Sequence, residues 1–326
     1  MALATDSKGD TVQLVNHRIL VTGPAGQIAF PLARRLAENN EVWGIARFSD
    51  AATRKRVDAV GVVTRSVDLA DPDWADLPDS FDYVLHLAAR VSADHDYDRA
   101  IQVNAEATGQ LMSRFRSTRA CLVMSTCRVY AVPEHPRHDI VETDPLAALP
   151  QPYSATYAVS KLAQEAVARF AAREFNVPTV IARMNVAYGD NGGLPAMLLE
   201  AILQEAPIQL SDGANTVCLP IHESDIFDHL PGLLAAASVP AVITNWGGDQ
   251  LVDIRELVAF MAEQVGREAH FESSPEGIVQ LRPDPAKRAR ITGPCKVDWR
   301  DGIRRMIAAR HPGIEILSET QAISII

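Results

Sequence analysis

Tyr157 and Lys161 stand four residues apart in the run YAVSK, on a stretch whose pattern predicts a helix, so both project from one face. A phenol near its reference pKa of about 10 is a weak base at neutral pH, and an ammonium beside it favours the phenolate. The pair therefore suits proton exchange with an alcohol or carbonyl oxygen. Upstream, the apolar run LVMST ends in Ser125 and Thr126, where a hydroxyl can hydrogen-bond and polarise that oxygen. Tyr-x-x-x-Lys by itself recurs by chance on exposed helix faces, so its meaning rests on the elements that hold it.

Those elements alternate. HRILVTG is a β-branched apolar run closed by glycine, and QIAFPLARRLAEN after it carries Ile28, Leu32 and Leu36 at helical spacing. Further strands are predicted at EVWGIAR, GVVTRSVDL, FDYVLHLAA, ACLVMST and PTVIARMNV, with helices over RAIQVNAEATGQLMSRF and TYAVSKLAQEAVARFAAREF. This order predicts an α/β fold, a Rossmann-type doubly wound parallel sheet with a smaller C-terminal substrate lobe. The dinucleotide-binding domain is expected over residues 17–184, rejoined by a segment at about 216–247 that includes the strand-like AVITNWGG. The substrate lobe is expected from 185–215 and 248–326, with a loose arm up to Asn16 and a tail, EILSETQAISII, too short to assign.

The first strand ends in TGPAGQIA, with Gly23 and Gly26 at the turn and Ala29 one helical turn on. Glycine there lets the chain turn tightly and approach a pyrophosphate, whose charge the helix N-terminus offsets. At the tip of the second strand, where an acid usually holds a free ribose 2′-hydroxyl, stand Ala46 and Arg47. Arg47 suits a 2′-phosphate, or is a solvated surface residue. Asp68 suits an adenine-edge contact, or a helix N-cap. NADP(H) is thus the favoured cofactor, with NAD(H) possible.

Composition narrows the classes further. The chain has 326 residues, 47% hydrophobic and 22% charged, with a net charge of -10, so neither nucleic acid nor an anionic membrane is an expected partner. Cys121, Cys127, Cys218 and Cys295 form no CxxC pair, so no metal site is expected and the thiols read as reduced. With no run of about 18 apolar residues and no signal-like start, a cytoplasmic location is expected.

Taken in order, TGPAGQIA, HLAA, VNAEATG, STCRVYA, YAVSK, ARMNVAYG, PIHESDI and WGGDQLVDIRELV resemble the extended short-chain dehydrogenase/reductase family over roughly residues 18–310. The resemblance implies that Thr126 is the catalytic hydroxyl, Tyr157 the acid/base, Lys161 the residue that holds the nicotinamide ribose and tunes Tyr157, and Asn104 a support of the proton relay. Cofactor contacts are implied for Gly23, Ala25, Gly26, Gln27, Ile28, Arg47, Asp68, Leu69, Leu87, Ala88, Ala89, Tyr157 and Lys161. A homodimer through the helices bearing Asn104 and Tyr157 is implied as well. His86 reads as a core or cofactor-side residue, and His222 as ordering the lobe junction.

Departures from the family pattern direct the functional expectation. Cys127 and Arg128 follow Thr126 where 4,6-dehydratases carry an Asp–Glu pair, so a dehydratase is disfavoured. Cys127 is one place out of register for a fucose-synthase cysteine and reads as a packed thiol. The arginine that clamps a diphosphate four residues before the PIHESDI histidine is here Cys218, with Arg282 a possible substitute. An NADP(H)-dependent oxidoreductase acting between ketone and secondary alcohol on a small or medium metabolite is expected. A nucleotide-sugar 4-epimerase with tightly held NAD and a non-catalytic NAD(P)-sensing protein are its alternatives. Asn185, Arg128 and Arg90 are candidate substrate contacts; the two arginines either hold an anionic group or pair with nearby acids such as Asp94 and Asp96.

Overall fold

The computed structural model describes residues 13–148, 154–213, 215–314 and 316. Most of the expected N-terminal arm, and the tail apart from Ile316, lie outside the described residues. The chain opens with β1 (Arg18–Thr22), α1 (Ala29–Ala37), β2 (Glu41–Ala46), α2 (Ala51–Asp58), β3 (Val63–Ser66) and β4 (Tyr83–His86). There follow α3 (Tyr97–Ile101), one π-helical turn over Gln102–Glu106, α4 (Ala107–Arg114), β5 (Ala120–Thr126), α5 (Tyr157–Glu174) and β6 (Thr179–Met184).

Together with a late strand, β12 (Val242–Trp246), these form one seven-stranded sheet, ordered β12-β6-β5-β4-β1-β2-β3, in which every pairing is parallel. β5 is buried at every residue, as a strand covered on both faces must be. Strand order reverses between β1 and β4, and a crevice for a ligand opens there beyond the carboxyl ends of the strands. Thr22, His86, Thr126 and Met184 all end strands on that edge. Gly44 is required inside β2 because a Cβ there would lie 2.7 Å from Pro24 Cγ in the first turn.

The second lobe is built from β7 (Val186–Gly189), β8 (Gly192–Gly193), α6 (Leu194–Leu203), β9 (Ile208–Leu210), β10 (Val217–Cys218) and β11 (Pro220–His222). After it, α7 (Glu223–Ala235) and β12 (Val242–Trp246) return to the first core: Ile226, Leu230 and Leu233 pack there, and β12 pairs with β6. The return starts later than residue 216, because β10 pairs with β13 (Val252–Asp253) and Cys218 sits in the second core. α8 (Ile254–Gln264), β14 (Phe271–Ser273), α9 (Ala286–Thr292) and α10 (Trp299–Arg310) complete the chain. Leu199, Leu257, Met261 and Ile303 centre the second core. Among the described residues, no helix is long and apolar enough to cross a membrane.

Candidate active site

Ser125 and Thr126 reach the crevice because β5 ends there. Ser125 Oγ turns inward and donates to Glu165 Oε1 at 2.5 Å, whereas Thr126 Oγ1 caps the following turn by accepting from Arg128 N at 3.2 Å. Tyr157 begins α5, with Lys161 one turn further along the same helix. Thr126, Arg128 and Tyr157 line one cleft.

Burial dominates the electrostatics. It pushes the Tyr157 phenol up to about 12, partly offset by a hydrogen bond with Thr126 and by the charge of Arg128. Lys161, 1% exposed, is pushed down to about 7 by burial against the opposing pull of Glu165, and its Nζ donates to the Met124 carbonyl. In the protein alone, desolvation of the ring outweighs the groups that pull the other way, so the Tyr157 phenol lies above its ordinary value. Beneath the pair, Arg183 grips Glu165 through Nε (2.8 Å) and Nη2 (2.7 Å), both side chains almost fully buried.

Asn104 is fully buried on the π-helical turn, and its amide is committed. Oδ1 accepts from Arg90 N at 2.6 Å, while Nδ2 donates to Arg90 O and to Ser160 Oγ. The structure therefore gives Asn104 a positioning place rather than a free end in a proton relay. Arg90 is likewise corrected as a substrate contact: its guanidinium pairs with Asp94, and it is absent from the cleft lining. His86 bridges Thr22 and Thr108 through its two ring nitrogens at 2.9 and 2.8 Å, and burial holds it neutral, down to about 3.

The first turn fits a dinucleotide. Gly23 has φ +65°, and a Cβ on it would come 3.1 Å from Ala88 Cα, so the chain after β4 packs directly on the turn. Leu87 N and Ala88 N donate to Thr22 Oγ1, which fixes the HLAA segment beside it. Arg47 is exposed at the β2 tip; no hydrogen bond or ion pair with a described residue holds its guanidinium, although its charge helps to lower Asp68. The nearby acid, Asp50, is consumed as the α2 N-cap by Ala52 N and Thr53 N. Asp68 accepts from Ala70 N and pairs with Arg99 at 3.0 Å, so its carboxylate caps a turn. Leu69 is buried next to it, Ala25 and Ile28 are partly buried, and Ala89 is exposed.

Sequence reasoning missed two residues on this turn. Arg56 Nη2 donates to Ala25 O at 3.1 Å, with the guanidinium 4.0 Å above the Phe30 ring; a charged side chain on a polar helix gave no signal. Asn191 Nδ2 donates to the Gly26 and Gln27 carbonyls from the second lobe, and Gln27 Nε2 answers to Ala187 O at 3.3 Å. Tertiary contacts across more than 150 residues leave no local pattern to read.

On the substrate side lies a cleft of about 760 Å³. Its walls include Leu194, Met197, Leu198, Ile208, Ile278 and Leu281, and its only formal charges among the described residues are Arg128 and Glu276. Asn185 lines it, with its amide tied to Leu219 N and Leu281 O across the lobe junction. Cys218, where a diphosphate-clamping arginine was expected, is fully buried and bonded to Val252 O. Arg282 does not replace it, because its guanidinium pairs with Asp139 and stays out of the lining. Cys127 is a packed thiol bonded to Arg183 O, pushed up to about 12 by burial. His222 caps α7 through Nδ1, as befits the lobe junction.

A family model described as "NAD dependent epimerase/dehydratase family" matches residues 19–216. No curated protein matches the chain. Among solved structures, a mutant UDP-glucuronic acid 4-epimerase from Bacillus cereus, in complex with UDP-4-deoxy-4-fluoro-glucuronic acid and NAD, superposes with a TM-score of 0.78 at 21% identity, covering 90% of this chain and 99% of that one. MoeE5 in complex with UDP-glucose and NAD gives 0.75 at 22% identity, covering 90% and 99%. DesIV, a dTDP-glucose 4,6-dehydratase from Streptomyces venezuelae with NAD and TYD bound, gives 0.74 at 21% identity, covering 91% and 97%. With a matched segment that spans the glycine turn and Thr126, Tyr157 and Lys161, the chain belongs to the NAD dependent epimerase/dehydratase family, among the extended short-chain dehydrogenase/reductase enzymes.

Proposed function

We propose that this protein carries out nicotinamide-dependent oxidation and reduction at a secondary carbinol carbon, with Tyr157 exchanging the proton and Thr126 holding the oxygen. The observation that carries this reading is the meeting of Thr126, Tyr157 and an uncapped cleft at the carboxyl edge of the sheet, one helical turn from buried Lys161. A nicotinamide bound along the Gly23 turn supplies hydride transfer to or from that carbon. Tyr157, protonated up to about 12 before any ligand binds, donates to a carbonyl oxygen as it gains charge. Thr126 orients that oxygen, and Lys161 is placed to exchange its Met124 contact for the cofactor ribose.

Two readings share this chemistry. Two of the solved structures that match, the Bacillus cereus 4-epimerase mutant and MoeE5, hold NAD with a UDP-sugar, which favours a nucleotide-sugar 4-epimerase over an NADP(H)-dependent ketone reductase. The unpaired Arg47, with Asp50 withdrawn into a helix cap, supports NADP(H) and so the reductase. Mass spectrometry of the purified protein and the stoichiometry of turnover separate them. Retained NAD with no net nicotinamide consumption identifies the epimerase, and one NADPH oxidised per carbonyl reduced identifies the reductase. Loss of neither activity in Tyr157→Phe rejects the shared chemistry.

A further inference from the structure

Resting on that hydride-transfer reading, we propose that the substrate carries a single anionic group, held by Arg128, on an otherwise apolar body seated against the wall formed by Leu194, Met197, Leu198, Ile208 and Ile278. Arg128 is half-buried beside the catalytic hydroxyl, no described residue accepts from its guanidinium, and its charge reaches the Tyr157 ring. An unpaired guanidinium in a partly desolvated cleft is a ready partner for a carboxylate, in bidentate geometry.

A diphosphate does not fit this charge pattern. It brings about two negative charges, whereas the lining offers one cation and one acid, Glu276. Neither expected diphosphate clamp is present: buried Cys218 stands at one position, and Arg282 is spent on Asp139. Among the uncharged polar residues of the lining, Gln280 is 4% exposed and has a side-chain amide bonded to no described residue. Its amide opens onto the cleft and is free to bond an oxygen or N–H of the ligand. Reduction adds one hydride at the carbonyl carbon and one proton, from Tyr157, at its oxygen, and consumes one reduced nicotinamide.

The test uses the full chain with NADPH and NADH, and a panel of 2-oxo and 3-oxo acids of four and eight carbons, their methyl esters, and UDP-glucuronic acid. Binding is read separately, as thermal stabilisation by octanoate against octanamide. The eight-carbon acids are expected to exceed their esters and the four-carbon acids by about tenfold or more in kcat/KM, from an interaction of charge-assisted strength and a buried chain. In Arg128→Met the acid-over-ester preference and the octanoate shift both vanish while the octanamide shift persists, and Gln280→Leu raises KM severalfold with kcat less changed. Equal response to acids and esters, an octanoate shift that survives Arg128→Met, or turnover confined to UDP-glucuronic acid overturns the proposal. So does silence of the whole panel with no octanoate shift. Nicotinamide fluorescence in the same samples separates the two levels: a chain that binds neither NADPH nor NADH fails the underlying reading, and one that binds nicotinamide but ignores the acids fails only this one.

Discussion

The two sides of the cleft are built on opposite principles. On the sheet side, buried polar side chains are knit into networks: Ser125, Glu165 and Arg183 close on one another, and Thr22, His86, Thr108 and Asn104 form a continuous chain of hydrogen bonds, with Arg90 Nε, Thr156 Oγ1 and Gln164 Oε1 the buried atoms around them that lack a partner among the described residues. On the lobe side the walls are largely aliphatic, and two polar side chains that face the cleft, Gln280 from the lobe and Arg128 just past β5, have no hydrogen-bond partner among the described residues. A satisfied network fixes atoms to within the tolerance that proton transfer needs, while an apolar wall with unspent donors selects a ligand without prescribing the reaction. Chemistry and specificity are therefore separable by mutation here.

The largest expected effect tests the sheet side. Tyr157→Phe removes the phenolic proton while keeping the ring, and kcat should fall about 10²–10⁴-fold. Cofactor affinity, by fluorescence titration, should stay within a fewfold of the parent. A kcat near normal would mean that the proton comes from elsewhere.

Next comes the support beneath it. Arg183→Met leaves Glu165 buried and unpaired next to Ser125, at a cost of about 3–5 kcal/mol in unfolding free energy, read by urea denaturation. Met197→Ala, on the exposed cleft rim, should change stability by less than about 0.5 kcal/mol while altering KM. If the two substitutions destabilised equally, the contrast between the sides would collapse.

A smaller effect is expected at the cofactor's far end. Arg47→Ala should weaken NADPH by about 1.5–3 kcal/mol, roughly ten- to a hundredfold, and leave NADH little changed. Tighter NADH binding in the unmutated protein would assign Arg47 to the solvated surface and bring the cofactor into line with the NAD-bound structures that match.

How legible each side was in the sequence follows from the same contrast. The sheet, the glycine turn and the Thr126–Tyr157–Lys161 set were readable because strand periodicity, a turn that demands glycine and an i,i+4 pair are all local. Arg90's pairing with Asp94 was one of the two readings its neighbours allowed, whereas the closing of the Asn104 amide on the Arg90 backbone is invisible until the π-helical turn brings them together. The phenol's upward shift was missed because it depends on burial, which spacing does not report. The lobe's wall, assembled from α6, β9 and the segment after β14, has no motif, only apolar residues that any core would use.

The smallest expected effect concerns buried histidines, one on each side of this divide. His86 has both ring nitrogens bonded, whereas His222 bonds Ser224 N through Nδ1 and leaves Nε2 buried with no partner among the described residues. Burial depresses both, His86 to about 3 and His222 to about 4, from 6.5. For a group whose folded pKa is lowered, the unfolded chain binds more protons below 6.5, so the stability it confers is present above 6.5 and is lost as pH falls toward the folded value. Between pH 6.5 and 5.5 each such histidine should cost about 1 kcal/mol. His222→Asn keeps a side chain suited to capping α7 and discards the unpartnered nitrogen. Its stability at pH 7.5 should therefore lie close to the parent's, while its loss on moving to pH 5.5 should be smaller by about 1 kcal/mol. His86→Asn, which breaks two hydrogen bonds in the paired network, should instead be less stable at both pH values. Denaturation of the three proteins at the two pH values decides the matter: an unchanged acid response in His222→Asn would show that His222 takes up its proton as readily in the folded chain as in the unfolded one, and that its Nε2 finds a partner or water there.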